Sequence, residues 1–142
     1  MADRDQTDLE LLRDRLSTIL MDTRHTSWDA DTLDEALRLA LVNISQAAGT
    51  ALTVQGLAGG DETTLTEADQ GALITGAAGY AGRARALDLA EKVSAGPNAQ
   101  AALAEFARTQ MELFQEQLGQ IQQRTLHTAA GAPYQALLWD EH

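Results

Sequence analysis

Three aspartates at spacings of two and three, Asp29, Asp31 and Asp34, are the first residues in this chain whose types suggest chemistry. They resemble the opening of a calcium loop, but the loop glycine and the distal glutamate are absent. Capping of a helix explains them better. The three histidines, His25, His127 and His142, lie far apart, and none forms a pair at metal-ligand spacing. A serine, histidine and aspartate can be picked from any chain, yet no nucleophile elbow frames them here. Gly76, Gly79 and Gly82 are spaced inside a helical stretch, not between a strand and a helix. They do not make a phosphate loop. Arg83 and Arg85 beside these glycines suit a bridge to a partner's carboxylates as well as they suit a solvated face. The residues therefore give no support to an enzyme, a metal site or a bound cofactor.

Composition points the same way. The chain has 142 residues, the length of one domain, and 44% of them are apolar. With no cysteine, disulfides and thiolate metal sites are excluded. The net charge is −11, from 21 acidic and 10 basic residues. A surface of that sign does not grip nucleic acid by its backbone, although it can surround DNA without adhering to it. Acidic charge also keeps a protein dissolved. Met1 to Gln6 is charged and lacks the apolar core of a signal peptide. No apolar run reaches the ~20 residues of a membrane span.

The elements are helical. Asn98 to His127 reads as one amphipathic helix, with Ala107, Met111, Phe114, Leu118 and Ile121 at alternating steps of four and three. Leu103, Phe106 and Leu113 widen that seam. Such a length requires a partner alongside, either a second long helix of this chain or a neighbouring subunit. Thr7 to Met21 is the first helix, with Thr7 and Glu10 at capping-box spacing and Leu9, Leu12, Leu16 and Ile19 on one face. Thr32 to Ala48 is the second, with Leu33, Leu37, Ala40, Leu41 and Ile44 as its stripe and Gly49 as its stop. Asp29, Asp31 and Thr32 compete to cap it; if Asp29 does, Trp28 and Leu33 take the staple positions. Thr50 to Leu65 changes period and carries Gly59-Gly60-Asp61, so it reads as a β-hairpin or a loop. Thr66 caps a third helix that runs to about Ala95. Leu73, Ala77, Tyr80, Ala84 and Leu87 share one of its faces, and Gly71, Gly76, Ala78, Gly79, Gly82 and Ala86 crowd the others. Interior glycines cost ~1 kcal/mol each, so a close helix–helix approach must offset them. Gly96-Pro97-Asn98 makes the third and fourth helices antiparallel neighbours. The expected architecture is an all-α bundle of about four helices over residues 1–128. It has a long antiparallel hairpin, a short β-hairpin or loop insert and an extended arm over 129–142. Gly76, Gly79, Gly82, Arg83, Arg85, Met111, Phe114 and Leu118 are the residues expected at helix packing or subunit contacts. The arm holds Pro133, Tyr134, Leu137, Leu138 and Trp139, an aromatic cluster of the kind that marks a contact surface.

One family matches this order of parts. Leu12-Arg13-Asp14-Arg15-Leu16, then Asp22, Trp28 and Leu33 to Leu41, resembles the start of phage head–tail connector proteins, also called adaptor or head-completion proteins. Two helices, an insert, the small-residue run Ala77-Ala78-Gly79-Tyr80-Ala81-Gly82-Arg83-Ala84-Arg85-Ala86, a long helix and an apolar arm follow in the same order. The likeness spans roughly residues 9 to 139 and contains no catalytic motif. It implies a non-enzymatic structural subunit of a virion neck, assembled in the host cytoplasm. Such subunits form a homo-oligomeric ring, commonly twelve-fold, below the portal protein, and the ring extends the DNA channel. The arm, Pro133 to Trp139, would dock on the portal. A downstream neck or tail-completion protein would meet the other end of the ring. DNA would pass through without sequence-specific binding, and no membrane is involved. The alternative, from a different class, is a soluble helical-bundle interaction module of a bacterial regulatory complex.

Overall fold

A computed structural model describes residues 6–21, 28–91 and 97–128. It places four helices, α1 (Asp8–Ile19), α2 (Ala30–Ala48), α3 (Glu67–Glu91) and α4 (Pro97–Thr128), and no strand among the described residues. The all-helical bundle expected from the sequence is the fold. None of these helices is long and apolar enough to cross a membrane.

Local chemistry sets the helix ends. Thr7 Oγ1 accepts the Glu10 amide at 3.2 Å and opens α1. Asp29 caps α2 by accepting the Thr32 amide at 2.7 Å, so the helix starts two residues before Thr32. Trp28 and Leu33 are both buried, in the two staple positions that an Asp29 cap defines. Gly49 ends α2 in the left-handed region, at φ 72°, where a side chain would be strained. Thr66 Oγ1 accepts the Asp69 amide at 3.4 Å at the head of α3. Pro97 occupies the first turn of α4, where its missing N–H leaves no bond unmade.

The central element is α3. The long α4 runs antiparallel along it, and α2 and α1 pack on it as well. From Ala72 to Gly82 every residue of α3 is buried except the half-buried Thr75 and Tyr80. A helix covered all round must carry small residues where its neighbours come close. The expected stripe of α2 is buried in full: Leu33, Leu37, Ala40, Leu41 and Ile44. Ile19 is not part of the α1 core face; it is 44% exposed, and Leu20, four residues after Leu16, is buried in its place. Leu87 and Leu113 also differ from expectation, at 63% and 45% exposed. Both present apolar side chains at the surface.

The β-hairpin does not form. Residues 50–65 are an irregular loop, and threonine hydroxyls explain why. Thr64 Oγ1 accepts the Thr53 amide at 2.8 Å and Thr63 Oγ1 accepts the Gln55 amide at 2.9 Å, where a ladder would use carbonyls. Thr53 Oγ1 in turn donates to the Glu62 carbonyl at 2.7 Å. Across the loop the Thr53 carbonyl accepts the Thr64 amide at 3.0 Å and the Leu65 amide at 3.4 Å. The loop is nevertheless fixed to the bundle. Val54, Leu57 and Leu65 are buried in the core, and the Gln55 carbonyl accepts the Leu9 amide at 3.0 Å in the first turn of α1. Gly56 lies against that turn at φ 91°, and a Cβ there would sit 3.1 Å from Thr7 Oγ1.

Candidate functional site

The residues singled out in the sequence meet along the α3–α4 hairpin, where successive contacts run in opposite directions on the two helices. A Cβ on Gly76 would lie 2.7 Å from the Phe114 ring, one on Gly79 2.5 Å from Met111 Sδ, and one on Gly82 3.2 Å from Ala107 Cβ. These three glycines therefore face α4 of the same subunit. Phe114 is fully buried and meets Tyr80 edge-on, with ring centroids 6.5 Å apart and planes at 75°. Tyr80 Oη accepts from Asn43 Nδ2 at 2.6 Å, which ties α2 to the same point. Leu118 and Met111 are partly buried beside this core.

Polar ties fasten this half of the hairpin. Arg124 on α4 donates to both carboxylate oxygens of Asp69 on α3, at 3.0 and 2.8 Å, and Asp69 is 7% exposed. The pair also sets a negative charge in the first turn of α3, where the helix dipole favours it. Arg15 on α1 donates to Gln70 on α3 at 3.2 Å. Arg13 holds Asp34 with two parallel bonds of 2.9 Å, joining α1 to α2. That hydrogen bonding raises the Arg13 guanidinium above its ordinary value. Trp28 Nε1 donates to the Ala81 carbonyl at 2.9 Å.

The other half of the hairpin is different in kind. From Arg83 onward on α3, and from Asn98 to Phe106 on α4, Ala86 is the single buried residue among those described. Arg85 pairs with Asp88 on its own helix at 3.2 Å. Arg83 has no hydrogen bond or ion pair with the described residues. A groove of about 500 Å³ opens here, lined by Arg83, Ala86 and Leu87 of α3 and by Ala104, Ala107 and Met111 of α4. The opposite wall carries Arg108, which pairs with Glu105 and, at 3.0 Å, with Glu112. A second groove, of about 600 Å³, lies between Val42 on α2 and Leu52 and Leu57 of the loop.

The titratable residues considered at first have structural partners. Asp29 is the cap of α2, and hydrogen bonding from Thr32, side chain first and then amide, lowers its carboxylate below the ordinary value. Asp34 serves Arg13, and Asp31 is exposed in the first turn of α2. Among the described residues no three histidine, aspartate or glutamate side chains are gathered to hold a metal. His127 stands in the last turn of α4; His25, His142 and the arm residues Pro133, Tyr134, Leu137, Leu138 and Trp139 lie outside the described residues. Sequence reasoning missed the groove, because alanine signals close packing equally well whether or not anything covers it. No protein-family model, curated protein or solved structure matches this chain.

Proposed function

We propose that this chain is a structural head–tail connector subunit of a tailed phage or phage-like particle. Copies form a ring, commonly twelve-fold in the family it resembles, below the portal protein. The ring prolongs the DNA channel and presents its far side to a downstream neck or tail-completion protein. The observation that carries this reading is the long hairpin. α4 has 32 residues, about 48 Å, and from Asn98 to Phe106 none of its residues is buried. An element that outgrows its own core in this way suits a contact with neighbours. The order of two short helices, a loop, a small-residue helix and a long helix also supports the reading. So does a net charge of −11, which multiplied around a ring lets DNA slide past without adhering.

The arm, Pro133 to Trp139, is the portal-docking segment in this proposal. Leu137, Leu138 and Trp139 contribute ~1.5–3 kcal/mol each when buried. Ordering the backbone costs roughly 1–2 kcal/mol per residue, so one arm binds weakly and many arms on one ring bind well. Deletion of residues 133–142 tests it. The truncated protein is expected to keep the helical circular dichroism of the full chain and to be missing from particles. Normal incorporation of the truncated protein contradicts the docking role.

A further inference from the structure

We infer that the groove between α2 and the 50–65 loop seats the chain's own arm, Pro133 to Trp139, in the free subunit. The inference goes beyond the connector reading. That reading gives the arm to the portal; this one gives it a resting place when no portal is there. The groove measures about 600 Å³, with Leu41 and Val42 of α2 on one side and Ala51, Leu52, Leu57 and Ala58 of the loop on the other. Val42 stands 43% exposed in it. One charged side chain lines it among the described residues, Arg38, and Glu35 already holds that guanidinium, with Nε at 2.9 Å from the carboxylate. An apolar groove with its charge already paired suits an uncharged, apolar occupant.

Composition selects the arm. Ala129 to Trp139 contains no charged side chain and holds Tyr134, Leu137, Leu138 and Trp139. A second copy is a poorer occupant, because two bodies of net charge −11 repel each other. A tethered segment also has an effective concentration in the millimolar range, so a few apolar contacts suffice to hold it.

Reach selects the groove. Arg124 bonds Asp69 in the first turn of α3, and the loop that leads into α3 forms one wall of this groove. The arm therefore leaves α4 at the end of the bundle where the groove opens. α4 also packs directly on α2, which puts their axes about 10 Å apart. Leu137 and Leu138 follow Thr128 by nine and ten residues, and an extended chain of that length spans up to ~30 Å. That is enough to pass round α2 and enter the groove. The groove of the open hairpin half is a worse match. Its floor at Ala104 lies 24 residues back along α4 from Thr128, about 36 Å. Only a fully extended arm would bring Trp139 that far, at ~36 Å.

The chain has no cysteine, so engineered pairs report the contact cleanly. Val42→Cys with Leu138→Cys is expected to close a disulfide within one chain at least about tenfold faster than Leu87→Cys with Leu138→Cys. Equal rates in the two pairs, or a Val42–Leu138 disulfide formed only between chains, overturn the seat. Tryptophan fluorescence gives a second readout. Deletion of residues 133–142 leaves Trp28 alone, so the difference from the full chain isolates Trp139. Its emission is expected to be blue-shifted and protected from iodide in the full chain, and to turn solvent-like in Val42→Asp with the thermal melt unchanged. Ala51→Asp supplies a second disruption if Val42→Asp melts early. Solvent-like Trp139 emission in the parent protein overturns the inference. Absence of the protein from purified particles would overturn the connector reading and leave both readouts as they are.

Discussion

The two ends of the α3–α4 hairpin are built from the same residue types and do different things. Toward Asp69 and Arg124, glycines bring α3 against α4, Phe114 fills the space that is left, and α1 and α2 cover the outside. Toward Leu87 and Leu103, alanine and leucine recur at the same helical spacing, but among the described residues only Ala86 is buried there. A buried apolar face folds the subunit, and an uncovered one is free to join subunits. Small residues therefore mean close packing at one end and an open groove at the other.

The largest expected effect lies at the packed end. Phe114→Ala removes a fully buried ring between Gly76 and Tyr80, and a loss of ~3–5 kcal/mol is expected in a denaturant series. A loss below about 1 kcal/mol would show that the seam does not hold the fold.

Glycine substitutions sharpen the contrast, because one change has opposite signs at different sites. Gly76→Ala forces a methyl group into the Phe114 ring, and overpacking of this kind costs about 1–3 kcal/mol. Gly79→Ala meets the end of a flexible methionine and is expected to cost less. Gly71 and Gly119 have open space around an added Cβ, so alanine there is expected to stabilise by about 0.4–1 kcal/mol. Melts of the four variants side by side check the order.

At the open end, Leu87→Ser is expected to change stability by no more than about 0.5 kcal/mol and to reduce assembly. An early melt would move Leu87 into the core. Smallest of all is the pH dependence of the α2 cap. Asp29 has a lowered folded pKa, so its contribution is fully present above the ordinary aspartate value, about 3.9, and is lost as pH falls through the folded value. Asparagine also caps helices but does not titrate. Asp29→Asn is therefore expected to lose less stability than the parent chain between neutral pH and about pH 3. Equal acid losses in the two proteins would remove Asp29 from the account.

How far the sequence revealed this structure depended on how many sides of each element are buried. The second helix has one covered face, and its stripe from Leu33 to Ile44 was legible in full. The third helix is covered on most sides from Ala72 to Gly82, so no single stripe described it. Ala84 and Leu87 continue the period past the point where the cover stops. The loop at 50–65 has the β-branched composition of a strand, but hydroxyls of Thr53, Thr63 and Thr64 compete with the backbone for its hydrogen bonds. Its anchoring on Leu9 is a long-range contact that no local pattern encodes. The glycines at 76, 79 and 82 announced a close approach, but spacing alone did not say whether the partner helix was the chain's own. The connector reading came from resemblance and not from any catalytic pattern, and the aromatic arm behind it lies outside the described residues.

Electron cryo-microscopy of particles that contain this chain tests the central claim most directly. The expected result is a closed ring of its copies below the portal. A particle neck without this protein would contradict it.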